Sequence, residues 1–198
     1  MSQKNGIKNF IAPIAALLVI AVVSAFVLGE VHEITLDPIQ EAKDARELKA
    51  ISEVVEDFDN DPFEERKVIV TKNRRHKLDM YPARKDGQLH SVAIKSYTNT
   101  GFAGRIELMV GFNADGSVNN FKVLSSHETP GLGAKIDEPK FKKQFKGMHP
   151  QRHAFKVRQD GGKIDAVTGA TISSRAIIRA ITRAYDAFSN FNSGYAHE

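Results

Sequence analysis

Residues 105–124 read RIELMVGFNADGSVNNFKVL. Two apolar-rich runs, Arg105 to Phe112 and Val118 to Leu124, flank Asn113-Ala114-Asp115-Gly116-Ser117. An Asp-Gly pair between such runs marks a tight reversal, because glycine adopts positive φ freely and aspartate tolerates it. The stretch therefore predicts an antiparallel hairpin. Asp86-Gly87 repeats the signal between the runs Leu78 to Pro82 and Leu89 to Tyr97, and Lys67 to Thr71 adds a further short run. Beyond this the period changes. From Thr171 to Phe188 the apolar stripe Ile172, Ala176, Ile177, Ala180, Ile181, Ala184 and Phe188 has helical spacing. A shorter helix is expected from Glu138 to Lys146, with Pro139 in its first turn. Strands followed by helices that pack on them make the class α+β, an antiparallel sheet with packed helices.

Ahead of this body lies FIAPIAALLVIAVVSAFVLG, residues 10–29, without a charge. Roughly 20 apolar residues rising about 1.5 Å each span a bilayer core. A cleaved signal peptide is the competing reading, but its apolar region is normally only ~7–15 residues. Ser24 to Gly29 offers a weak cleavage site at best. One N-terminal transmembrane helix is expected. Lys4 and Lys8 precede it, and Glu30 and Glu33 follow it. Positive flanking charge keeps an N-terminus in the cytoplasm. The body is then periplasmic, held at the inner membrane by a single pass. Asp37-Pro38 reads as a cap and first helical position, opening an amphipathic helix through Ile39, Ala42, Ala45, Leu48, Ile51 and Val55. Asn60-Asp61-Pro62 breaks it. The expected division is 1–9 cytoplasmic, 10–29 membrane span, 30–62 membrane-proximal helix and linker, 63–190 globular domain and 191–198 tail.

Composition narrows the chemistry. The 198 residues include no cysteine, which excludes disulfides, thiolate metal sites, iron–sulfur ligation and thiol nucleophiles. The net charge of +4 is compatible with an anionic ligand or with a solvated surface. The seven histidines are scattered without a metal-ligand pair, so no metal site is expected, and Gly-x-Ser-x-Gly is absent. A basic nucleic-acid module is disfavoured by the membrane span.

Two segments carry chemistry. In Asp165-Ala166-Val167-Thr168-Gly169-Ala170-Thr171-Ile172-Ser173-Ser174, hydroxyl and small residues lead directly into the last helix. Small residues admit a ligand close to the backbone. A helix N-terminus offers unpaired N–H groups to a phosphate. On these residues alone, a simple helix cap at Thr168 or Thr171 is the more ordinary reading. The second segment, His127-Glu128-Thr129-Pro130-Gly131-Leu132-Gly133, is by itself a turn with two free glycines.

Together they resemble the FMN-binding domain family. Asp165-x-x-Thr168-Gly169-Ala170-Thr171-x-Ser173 is similar to its flavinylation motif, with Thr168 where serine is commoner. Glu128-Thr129-Pro130-Gly131-Leu132-Gly133 is similar to its second hallmark, about forty residues upstream. The resemblance implies FMN joined by a phosphoester to Thr171, installed from FAD by an ApbE-type flavin transferase. It makes Asp165, Thr168, Gly169, Ala170 and Ser174 part of the cofactor motif. It also implies that Thr129 and Leu132 contact the isoalloxazine ring, which Gly131 and Gly133 let the backbone approach, and it counts Glu128 among the cofactor-binding residues. Within the family, Tyr81-Pro82-Ala83, Gly101-Phe102-Ala103-Gly104 and Ser174-Arg175-Ala176 look more like the G-type member of Rnf complexes than NqrC of the sodium-pumping quinone reductase. The implied role is electron relay between ferredoxin and NAD within a membrane complex of other Rnf subunits, without independent catalysis. An exported scaffold with an idle motif and a free-standing flavin reductase are the rivals. Lys135, Lys140, Lys142, Lys143 and Lys146 follow the second motif, either as a solvated face or as charges that raise the flavin's potential.

Overall fold

The computed structural model describes residues 3–152 and 154–195, so Met1, Ser2 and the last three residues of the expected tail lie outside it. Five strands, β1 (Lys67–Val70), β2 (Lys77–Lys85), β3 (Gln88–Gly101), β4 (Gly104–Asn113) and β5 (Val118–Ser126), form one sheet. Every neighbour pair is antiparallel, in the order of the chain. The β2–β3 turn has positive φ at Asp86 (51°) and Gly87 (75°), the backbone that a two-residue hairpin requires. In the β4–β5 turn the Asp115 carboxylate accepts from the backbone N–H and hydroxyl of Ser117, at 2.8 and 2.6 Å. Both hydrogen bonds hold the Asp115 carboxyl below its ordinary pKa.

Both faces of the sheet are covered. On one lies α3 (Thr171–Tyr195), whose Ala176, Ile177, Ala180, Ile181, Ala184 and Phe188 are buried. They join Val92, Ile94, Leu108, Val110 and Phe112 in a single core. The intervening strand residues point the other way, as the pleat demands. Tyr81, Ala83, Ala93 and Met109 meet Ala50, Ile51, Val54 and Val55, where α1 (Gln3–Val54) ends. Asn119 and Asn120 donate from their side-chain amides to the carbonyls of Val54 and Glu53, both at 3.0 Å, and so satisfy groups that a helix end leaves open. Gly111 lies under this end. A Cβ there would fall 1.9 Å from the Val54 carbonyl oxygen.

The chain divides by its contacts into residues 1–45 and 46–198. From Pro13 on, α1 is long and apolar enough to cross a membrane, with a window of mean hydropathy 2.6. Several expectations need correction. Helix α1 does not restart at Asp37-Pro38; Pro13 and Pro38 both lie inside it. Proline removes one helical hydrogen bond, and an established helix on both sides outweighs that loss. Of the stripe predicted from Ile39 to Val55, only Ile51 and Val55 are buried, while Ile39 and Leu48 are exposed. The helix expected from Glu138 to Lys146 shrinks to α2 (Pro139–Lys142), preceded by a 3-10 turn at Gly133–Asp137. Phe145 N–H bonds Lys142 O, a tightened three-residue step, and Gly147 then reverses the chain at φ 75°. Finally, α3 continues past Phe188 to Tyr195, because Asn190 donates to Val70 O at 3.1 Å and Phe191 packs on the core.

Candidate functional site

The start of α3 is shaped by its own hydroxyls. Ser174 is fully buried; its Oγ accepts from Val167 N–H at 3.0 Å and donates to Ala170 O at 2.9 Å. Ala170 N–H also bonds Val167 O, and Gly169 supplies φ 75°. These contacts close residues 167–170 into a turn that delivers Thr171 to the first helical position. Among the described residues the Thr171 hydroxyl makes no hydrogen bond, so it is not a cap. The N–H groups of Thr171, Ile172 and Ser173 likewise meet no backbone acceptor ahead of the helix. Such groups, with the positive end of the helix dipole, favour an anion. One turn on, Arg175 grips Asp160 with two hydrogen bonds of 2.8 and 2.7 Å, which hold the Asp160 carboxyl below its ordinary pKa.

The second motif comes to the same place. Thr129 O accepts from the N–H groups of Leu132 and Ala134, winding residues 129–134 into a compact loop. A cavity of 330 Å³ opens between this loop and the start of α3. Glu128, Thr129, Leu132 and Gly133 line one side, Gly169 to Ser173 the other, and Phe102 of the β3–β4 turn completes it. Three large apolar side chains stand exposed at this cavity: Phe102 (70%), Ile172 (49%) and Leu132 (48%). An apolar-walled cleft beside free helix N–H groups fits a flat aromatic ring carrying a phosphate. Space is tight where the segments meet. A Cβ at Gly133 would lie 2.4 Å from Glu128 Oε2, and one at Gly169 would lie 3.3 Å from Leu132 Cδ2.

Not every motif residue faces this cavity. Asp165 and Thr168 line a neighbouring concavity of 520 Å³ with Lys135, Glu138, Lys140 and Gln144. There Asp165 accepts from Arg158 Nε at 2.5 Å, and its backbone exchanges hydrogen bonds with the Gln144 amide. Ser174 is sealed beneath the turn. Gly131 is exposed outside the cavity lining, and its φ of 76° serves the loop. The lysines separate as well: Lys142 pairs with Asp137 and Lys146 with Glu56, and none of the five lines the smaller cavity.

Three cavity residues escape a reading of the site from sequence. Periodicity places Ile172 in the buried stripe of α3, yet the first helical turn extends beyond the core and turns it outward. Ser173 is a motif position to which the sequence gives no role. Phe102 has a legible signal, a large apolar residue at the tip of a Gly-x-x-Gly turn, where nothing in the core needs it.

The FMN-binding domain family model matches residues 101–186, a span that holds both motifs and Phe102. The chain is 31% identical to the G component of the ion-translocating oxidoreductase complex of Vibrio cholerae over 194 residues, covering 93% of this chain and 88% of that protein. It is 34% identical to the same component from Yersinia pestis over 165 residues, 78% of each chain. Among solved structures, the C component of the Na(+)-translocating NADH-quinone reductase of Parabacteroides distasonis superposes with a TM-score of 0.56 at 20% identity, over 79% of this chain and 96% of that one. The NqrC of Shewanella oneidensis gives 0.51 at 21%, over 76% and 73%. The NqrC likeness shows a shared fold, whereas the identity and coverage of the first two relatives show descent. This chain belongs to the RnfG family, the G components of ion-translocating oxidoreductase complexes.

Proposed function

We propose that this protein is the flavin-carrying electron-relay subunit of a membrane-bound, ion-translocating ferredoxin:NAD oxidoreductase of the Rnf type, with FMN esterified to Thr171. The observation that carries the reading is the meeting of both motif loops at one cavity, where the Thr171 hydroxyl stands free at the start of α3. The N–H groups of the first helical turn would hold the phosphate. Phe102, Leu132 and Ile172 would flank the ring, with Thr129 at its edge. When bound, FMN supplies the electron-transfer chemistry, and the protein positions it and sets its electronics.

Attachment requires a transferase of the ApbE class and FAD. Thr171 Oγ bonds to the flavin-side phosphorus, the pyrophosphate P–O bond breaks, AMP leaves and the hydroxyl proton passes to the medium. Asp165 and Thr168, turned away from the cavity, are then available to that enzyme. The basic N-terminal flank and the apolar part of α1 support an inner-membrane single pass with the flavin domain in the periplasm.

The test is co-expression with the transferase, followed by denaturing electrophoresis, in-gel flavin fluorescence and intact mass. Wild type is expected to carry one FMN phosphoester, and Thr171→Ala none. An unmodified wild type, with the transferase active on a control substrate, would remove the electron-carrier reading.

A further inference from the structure

Glu128 is out of keeping with its surroundings. It is only 6% exposed, and among the described residues no lysine, arginine or histidine forms an ion pair with it. Two neutral donors hold it instead. Oε2 accepts from Ser173 Oγ at 2.6 Å, and Oε1 accepts from Ala103 N–H at 3.2 Å. Gly101 and Gly133 are both closed to a Cβ by this carboxylate, at 2.6 and 2.4 Å. Three segments thus converge on one buried acid in the wall of the cavity. Both carboxylate oxygens are thereby fixed in the wall of a ligand site.

We propose that Glu128 sets the redox poise of this site, its buried charge holding down the reduction potential of a flavin anchored at Thr171. The inference rests on the Thr171 reading above. Reduction adds two electrons and one proton to the ring and leaves it with a net negative charge. The electrons come from the donor centre of the complex, or from dithionite in a titration. A fixed negative charge in the low-dielectric wall opposes that added charge. Ser173, on the same helical turn as Thr171, fixes the distance between the carboxylate and the anchor point.

Glu128→Gln isolates the charge from the geometry. The amide oxygen still accepts from Ala103 N–H, and the amide nitrogen donates to Ser173 Oγ, which as a hydroxyl can reverse its role. The full chain, co-expressed with the transferase and purified in detergent, is scored for covalent flavin and then titrated spectroelectrochemically. In the Glu128→Gln protein that carries covalent flavin, the two-electron equilibrium is expected to shift about tenfold toward the reduced form, about +30 mV. The variant's flavin-free form, expressed without the transferase, is expected to melt like wild type, because the amide keeps both hydrogen bonds. A loaded variant at the wild-type potential would overturn the proposal, and so would a variant that folds but takes no flavin, since the charge would then serve loading. Wild type without flavin would instead overturn the Thr171 reading beneath it.

Discussion

Ser173 and Ser174 are adjacent, identical in kind and both buried, yet they do different work. Ser173 reaches across the cavity wall to Glu128, while Ser174 folds back to close the turn that presents Thr171. Ser174→Ala would leave the half-buried Val167 N–H without its acceptor, at about 1–3 kcal/mol. Melting should fall by about 2–4 °C per kcal/mol, and the proposed attachment at Thr171 would then show partial loss of covalent flavin under limiting transferase. Equal melting and equal loading would show that the turn needs no such clasp. The linear motif could not separate these roles. Thr171, Thr129 and Leu132 were readable as cavity residues because a resemblance attached them to a ligand. Asp165 and Thr168 share the same motif but face the other side of the turn, and spacing along a chain does not record which side of a turn a residue faces.

At the scale of elements, the hairpins were the legible part. Asp86-Gly87 and Asp115-Gly116 announce their reversals through local backbone demands, so the strands between them follow in order. Helix boundaries were less readable. The end of α1 depends on Asn119 and Asn120, more than sixty residues away in sequence, and no local pattern can report them. Proline at 38 looked like a beginning because caps are local signals, whereas persistence of a helix is cooperative. Gly111 gives a direct test of the seat of α1 on the sheet. Gly111→Ala would drive a methyl group into the Val54 carbonyl, and the backbone must move, at about 1–3 kcal/mol. Thermal melts should drop accordingly, with faster amide exchange across residues 50–55. A variant that melts like wild type would mean that α1 is held more loosely than this packing implies.

For the whole molecule, the sequence already separated an apolar N-terminal segment from an α+β body, because mean hydropathy and strand–turn alternation are long-range averages that survive local error. Its orientation is open to test. Alkaline phosphatase fused after Tyr195 should be active, since that enzyme matures only outside the cytoplasm, and a cytoplasmic fluorescent reporter at the same place should stay dark. The opposite pattern would invert the proposed topology. The way α1 ends has a practical consequence for anyone who wants this domain in soluble form. A cut at Phe63, just after the visible break in the chain, looks natural but would strip away Ala50, Ile51, Val54 and Val55. Tyr81, Ala83, Ala93 and Met109 would then meet water as a bare apolar sheet face, an invitation to aggregate. Cutting before Arg46 keeps that cover in place, so the choice of seventeen residues decides between a usable reagent and a precipitate.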